Sequence, residues 1–175
     1  MLTYTQHSDA VVIVSHEIYG INEHIATVCK KISCYGIDVI VPDLLSGRKA
    51  FSYEEETNAY NYFMNNVGFE KAFEQIEELL HHVRENYKIV CLLGYSVGAT
   101  LAWLSSKTGL CDLAVGFYGS RIRNCIGITP KCPVLLFFPS QEKAFAVDDL
   151  ILQLSNRHNV QIEKLDGVHG FANQF

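Results

Sequence analysis

Six short runs of apolar residues recur along this chain of 175 residues, at positions 10–14, 37–41, 89–93, 113–117, 133–138 and 160–165. Apolarity within them is close to continuous rather than alternating. Such strands must be covered on both faces, the condition of a parallel sheet packed between helices. The intervening segments supply those helices. Asn22 can cap one that places Ile25, Val28, Cys29 and Ile32 on a single face and ends at Gly36. Ser52 and Glu55 have capping-box spacing and predict a helix through Tyr60, Phe63 and Met64. Phe69, Phe73, Ile76, Leu80 and Val83 mark a longer amphipathic helix. Another follows residue 96 and ends near Gly109, and Val147, Leu150, Ile151 and Leu154 mark the last. No repeat, linker or low-complexity tract interrupts the pattern, so one α/β domain over residues 1–175 is predicted.

The third run leads straight into Gly94-Tyr95-Ser96-Val97-Gly98 and then into a helix-compatible stretch. Strand, sharp turn with serine at its apex, then helix is the nucleophile elbow of the α/β-hydrolase fold. A serine hydroxyl is a weak nucleophile and must be lifted clear of the sheet towards a base. The flanking glycines let the turn close without Cβ clashes. The expected architecture is therefore a three-layer α/β-hydrolase fold, with a mostly parallel sheet of about six strands and helices on both faces.

Composition excludes several other functions. The net charge of −5 gives no reason to expect nucleic acid or an acidic membrane as partner. No apolar run approaches a membrane span, and the N-terminus lacks the layout of a signal peptide. The six cysteines show neither CxxC spacing nor a dense framework, and read as reduced packing thiols in the cytoplasm. His81 and His82 are adjacent and diverge on a helix, so no metal site is expected.

In such a sheet ligands bind beyond the carboxyl ends of the strands, and the fold orders its triad as Ser, then acid, then His. After Ser96 only His158 and His169 remain. His158 stands before the last strand, on the wrong side of the sheet. His169 follows that strand in Asp166-Gly167-Val168-His169-Gly170-Phe171, a tight loop able to aim an imidazole back at Ser96. The acid should follow the run ending at Phe138. Glu142 is the first candidate and Asp148 the second, the latter being placed to favour the start of a helix. The acid's task is to fix the imidazole tautomer and stabilise the imidazolium. Backbone N–H groups of Val97 and Ile18 are the expected oxyanion donors.

Five segments taken together resemble the dienelactone hydrolase family: His16-Glu17-Ile18-Tyr19-Gly20-Ile21-Asn22, Val41-Pro42-Asp43-Leu44, the elbow, Tyr118-Gly119, and His169-Gly170-Phe171. They follow the family's order and approximate spacing over almost the whole chain. The resemblance implies a hydrolase of small-molecule esters or lactones that uses no metal or organic cofactor. It also implies that Glu17 modulates the nucleophile. Many members carry cysteine at the elbow; with Ser96 there, His169 must carry more of the activation and Glu17 less. The triad acid of the family is usually aspartate in a Gly-rich turn, where this chain has Glu142 and Ser140. Enzymes specific for dienelactone hold its carboxylate with two arginines. Arg48 matches the first, whereas Asn173 stands near the second, which argues against that particular substrate. Tyr118, Arg121 and Arg123 are further substrate-facing candidates.

Relative to full-length members the chain is expected to be shortened at both termini, with Leu2-Thr3-Tyr4-Thr5 keeping one short strand. A sheet face left uncovered for that reason predicts self-association as a homodimer. Two functions follow from these readings. One is a serine hydrolase acting through an acyl-enzyme on Ser96. The other is a hydrolase-fold protein that binds a ligand without turnover.

Overall fold

In the computed structural model, which describes residues 1–175, strands form where the apolar runs lie. In chain order they are β1 (Leu2–Tyr4), β2 (Ala10–Ser15), β3 (Asp38–Val41), β4 (Ile89–Tyr95), β5 (Leu113–Phe117), β6 (Val134–Pro139) and β7 (Val160–Leu165). One sheet contains all seven in the order β1-β3-β2-β4-β5-β6-β7. Six strands are mutually parallel, and β1 joins the edge antiparallel to β3 through Leu2, Thr3 and Tyr4. The sheet thus has one strand more than the six apolar runs.

Five helices cover the sheet: α1 (Glu23–Ser33), α2 (Glu56–Tyr62), α3 (Gly68–Arg84), α4 (Val97–Ser105) and α5 (Val147–Leu154). Asn22 caps α1 by accepting the N–H of Ile25 at 3.1 Å. Glu23 in the first turn and Lys30 and Lys31 in the last complement its dipole. The Ser52–Glu55 capping box is present, but it opens a short 3-10 turn (Tyr53–Glu55) that runs into α2. A π-helical turn (Phe63–Val67) then joins α2 to α3, with Gly68 at φ +72° where the path changes.

The helices divide unevenly. The larger core cluster places Phe63, Ile76, Leu80, Leu101, Trp103 and Leu150 against Val90, Leu92 and Leu136 of the sheet. On the opposite face α1 contributes Ile25 and Cys29 to a smaller cluster with Val14, Val39, Val41 and Tyr95. Beyond α1, that face carries the half-buried side chains of Leu93, Val115, Phe117, Leu135 and Phe137 on β4 to β6. Tyr95, Phe117 and Phe137 sit side by side across three strands, with ring centroids 5.1 and 4.6 Å apart and planes 12° from parallel.

The connection after β2 steps outward to β3, while the one after β3 crosses back over β2 to β4. The direction of winding therefore reverses between β2 and β4, and the loops leaving their C-terminal ends diverge to open a crevice. No helix is long and apolar enough to cross a membrane.

Candidate active site

Ser96 stands at that crevice, joining β4 directly to α4 with φ 53° and ψ −110°. This backbone conformation costs about 1–3 kcal/mol for a residue with a side chain and persists only where its surroundings enforce it. They do so from both sides. The Ser96 N–H donates to the Phe117 carbonyl at 2.9 Å, and its own carbonyl accepts from Ala99 and Thr100. The two glycines of the elbow serve close approach and not torsional freedom, since neither has positive φ. A Cβ on Gly94 would fall on the carbonyl of Gly98, and one on Gly98 would fall on that of Ser15. Strand β4, helix α4 and the end of β2 are thus in backbone contact at the serine.

His169 reaches Ser96 from the loop after β7. Its Nε2 lies 3.0 Å from Ser96 Oγ. On the other side of the ring, Nδ1 lies 2.7 Å from Glu142 Oε2, whose side chain is only 7% exposed. The structure brings these three side chains into one hydrogen-bonded line. Asp148, the second candidate acid, points elsewhere and pairs with Lys164 Nζ at 2.6 Å. His158 bonds Asn159 and is remote from the line.

Three residues not singled out as site residues in the sequence, Ser140, Gln141 and Phe171, hold the line in place. Ser140 ties the loop after β6 to the loop after β7. Its N–H donates to Leu165 O at 2.7 Å, and its hydroxyl accepts from Gly167 N at 3.2 Å. Gln141 N adds a bond to Gly167 O at 3.1 Å. Phe171 packs its ring edge-on against Tyr118, with centroids 5.4 Å apart, and also tilts against Phe117. It thereby anchors the short loop that carries His169. Gly167 is needed there, because a Cβ would come 2.9 Å from Cβ of Phe171.

Val97 and Ile18 both line the cavity beside Ser96 and His169. Neither backbone N–H donates to any acceptor in the turns and loops, so both are free to meet a ligand oxygen. The cavity has a volume of about 900 Å³, within the range of small-molecule sites. Glu56, Tyr60, Met64 and Phe69, spanning α2 to the first turn of α3, form its outer wall, and Lys143 to Val147 form another side.

The other sequence candidates separate. Arg121 lines the cavity and donates to the hydroxyl of Tyr60. Arg123 turns back to the carbonyl of Ser120 and lies over the Phe145 ring. Arg48 lies outside the cavity, with its guanidinium over Phe51 at 4.2 Å and Tyr62 at 4.7 Å. Stacked there, it does not line the cavity beside Ser96, where the sequence expectation had a substrate contact. Asn173, near the place of the second arginine, donates to Tyr53 Oη at 2.6 Å.

Tyr118, the other expected substrate contact, is likewise not among the residues that line the cavity. It is 1% exposed, and its hydroxyl donates inward to Glu17 Oε1 at 3.1 Å. Burial pushes its phenol far above the ordinary range, which keeps the hydroxyl a donor to Glu17. Glu17 itself is 4% exposed, with Oε2 unpartnered, and makes no hydrogen bond to Ser96. Burial raises its carboxyl above the usual range, opposed by the Tyr118 bond and by the nearby His169. No group of three or more His, Cys, Asp or Glu side chains is placed to hold a metal ion.

Comparison with known proteins agrees with this arrangement at the level of family and fold. The model of the dienelactone hydrolase family matches residues 1–175. The uncharacterized protein YczH of Bacillus subtilis is 37% identical over 166 residues, covering 93% of this chain and 81% of its own length. The carboxymethylenebutenolidase of Pseudomonas putida is 26% identical over 143 residues, which cover 75% of this chain but 60% of that enzyme. Among solved structures, a cold-adapted esterase from an Arctic intertidal metagenomic library superposes with TM-score 0.73 at 15% identity, over 93% of this chain and 75% of its own.

Proposed function

The chain belongs to the dienelactone hydrolase family, and from that premise we propose that it hydrolyses a small-molecule ester or lactone through an acyl-enzyme on Ser96. The observation that carries this reading is the continuous contact from Ser96 Oγ to His169 Nε2 at 3.0 Å and from Nδ1 to Glu142 at 2.7 Å. Glu142 holds the Nδ1 proton, which leaves Nε2 as the base. As Ser96 Oγ attacks the carbonyl carbon, its proton passes to Nε2, and Glu142 stabilises the imidazolium. The N–H groups of Val97 and Ile18 receive the developing oxyanion. Collapse of the tetrahedral intermediate expels the alcohol, which takes the proton from His169. In a lactone the alcohol stays tethered to the acyl group. Water, deprotonated by the same nitrogen, then releases the acid and regenerates the Ser96 hydroxyl.

The apolar side chains of Ile18, Met64, Phe69 and Phe145 favour a substrate with a hydrocarbon or aromatic part, and Arg121 offers a place for a polar or anionic end. Six free cysteines, three of them buried, favour a reducing compartment such as the cytoplasm. The test is hydrolysis of a short nitrophenyl ester together with labelling by a fluorophosphonate. Ser96→Ala is expected to lower kcat by at least about a thousandfold and to abolish labelling. Wild-type turnover in that variant would refute the assignment. A wild-type protein silent to both reagents would favour binding without turnover.

A further inference from the structure

We propose that His16 is a positioning residue for the oxyanion donor at Ile18, locking the peptide plane that carries this N–H and tying it to the loop after β3. The inference rests on the hydrolase reading above.

His16 is fully buried at the C-terminal end of β2. The N–H of Leu44 donates to its Nε2 at 3.2 Å. A nitrogen that accepts carries no proton, so the neutral ring must carry its proton on Nδ1. That nitrogen lies 2.6 Å from the carbonyl oxygen of Glu17 and donates to it. Burial lowers the pKa of the imidazole and keeps the ring neutral, as this pair of bonds requires.

The Glu17 carbonyl and the Ile18 N–H belong to one trans peptide unit, and in such a unit they point in opposite directions. Fixing the carbonyl therefore fixes the N–H. Gly20 N–H gives the same carbonyl a second bond at 3.2 Å, closing the turn from behind. With its carbonyl held from two sides, the peptide cannot rotate without breaking both bonds, and Ile18 remains at the cavity wall beside Ser96 and His169. The Leu44 bond extends the anchor. Leu44 follows Asp43, whose carboxylate accepts from Leu45 and Gly47 and so organises the loop after β3. His16 is the side chain that joins the two loops.

An oxyanion donor acts chiefly in the transition state, so its misplacement lowers kcat and leaves KM nearly unchanged. The test compares His16→Leu, His16→Gln and wild type on a short nitrophenyl ester, with Ser96→Ala as control. Leucine offers neither bond. Glutamine ends in one donor and one acceptor and is able to replace both. The expected result is a kcat loss of about tenfold or more in His16→Leu, with KM within about twofold and restoration to within about threefold of wild type in His16→Gln. Equal losses in both variants, a change confined to KM, or no loss in His16→Leu would overturn the proposal. Activity surviving in Ser96→Ala would instead overturn the hydrolase reading. Nitrogen NMR of the wild-type imidazole supplies a readout independent of variant folding. An Nδ1-protonated His16 that does not titrate between about pH 5 and 8 is expected, and an Nε2-protonated ring would refute the assignment.

Discussion

Glu142 Oε2 lies 2.7 Å from Nδ1 of His169, across 27 residues of sequence and from a different loop of the sheet. The contact selects the tautomer in which Nε2 faces Ser96. Glu142→Gln keeps the shape and removes the charge, so it is expected to lower kcat by about 10²- to 10⁴-fold with little change in KM. Asp148→Asn breaks only an exposed pair with Lys164, and its loss of kcat is expected to be at least about tenfold smaller. Steady-state kinetics of the two variants checks the assignment of the acid.

Two glycines predict two different penalties. Gly98→Ala drives a Cβ into the carbonyl of Ser15 and is expected to cost about 3 kcal/mol or more. For a chain of this size that lowers the thermal midpoint by roughly 6–12 °C. Gly36 has φ +75° and nothing within 4 Å of a built Cβ. Gly36→Ala therefore incurs only the torsional penalty, about 1 kcal/mol, or roughly 2–4 °C. Calorimetry of both variants separates steric from torsional strain.

Burial raises the carboxyl of Glu17 above its ordinary range. The folded state thus holds this proton more tightly than the unfolded chain does. Stability from this group is greatest below the ordinary glutamate pKa and is lost as pH rises through the raised value. Glu17→Gln keeps an acceptor for Tyr118 and removes the charge. It is expected to raise the melting temperature at pH 8, by an amount that shrinks towards zero near pH 4. A difference independent of pH would contradict the burial argument.

The thiols should divide by exposure. Cys34 is exposed, whereas Cys29, Cys111 and Cys132 are buried, and burial pushes the Cys29 thiol up to about 12. In the native protein dithiobis-nitrobenzoate is expected to react first at Cys34. Cys29 should react only on unfolding, which peptide mapping after timed quenching would show.

The half-buried strip of Leu93, Val115, Phe117, Leu135 and Phe137 has an apolar character suited to a second copy of the chain. Light scattering is expected to give a mass near twice 19.7 kDa. A constant monomer mass over a wide concentration range would count against it.

Much of the fold is legible in the amino-acid sequence. The strands from β2 to β7 were visible because parallel strands covered by helices must be apolar throughout, and each lies within a residue or two of its run. Strand β1 is three residues long with alternate exposure; it falls within Leu2–Thr5, where a short strand is expected from the place of the segment and not from any periodic signal. The π-helical turn at Phe63–Val67 has no periodic signature of its own: Phe63 and Phe69 stand six residues apart, on no common α-helical face, and the sequence assigns them to two separate helices. At the site, chain order singles out Ser96 and His169 and the place after β6 singles out Glu142, and the three side chains stand in one hydrogen-bonded line. Arg48 and Tyr118 turn away from the cavity, and the sequence is silent on this for a shared reason. Residue type does not reveal whether a polar side chain turns outward to a ligand or inward to Phe51, Tyr62 or Glu17. In the sequence Ser140 is only a departure from glycine, whereas in the structure its hydroxyl joins two loops.

The outer wall of the cavity from Glu56 to Phe69 is one unbroken stretch of chain, set apart from the strand ends that carry Ser96, Glu142 and His169. Under the proposed chemistry, part of the choice of reactant is thus encoded in a segment that carries none of the reacting groups. Exchanging residues 56–69 between relatives would redirect which molecules are accepted while bond cleavage itself carries on undisturbed.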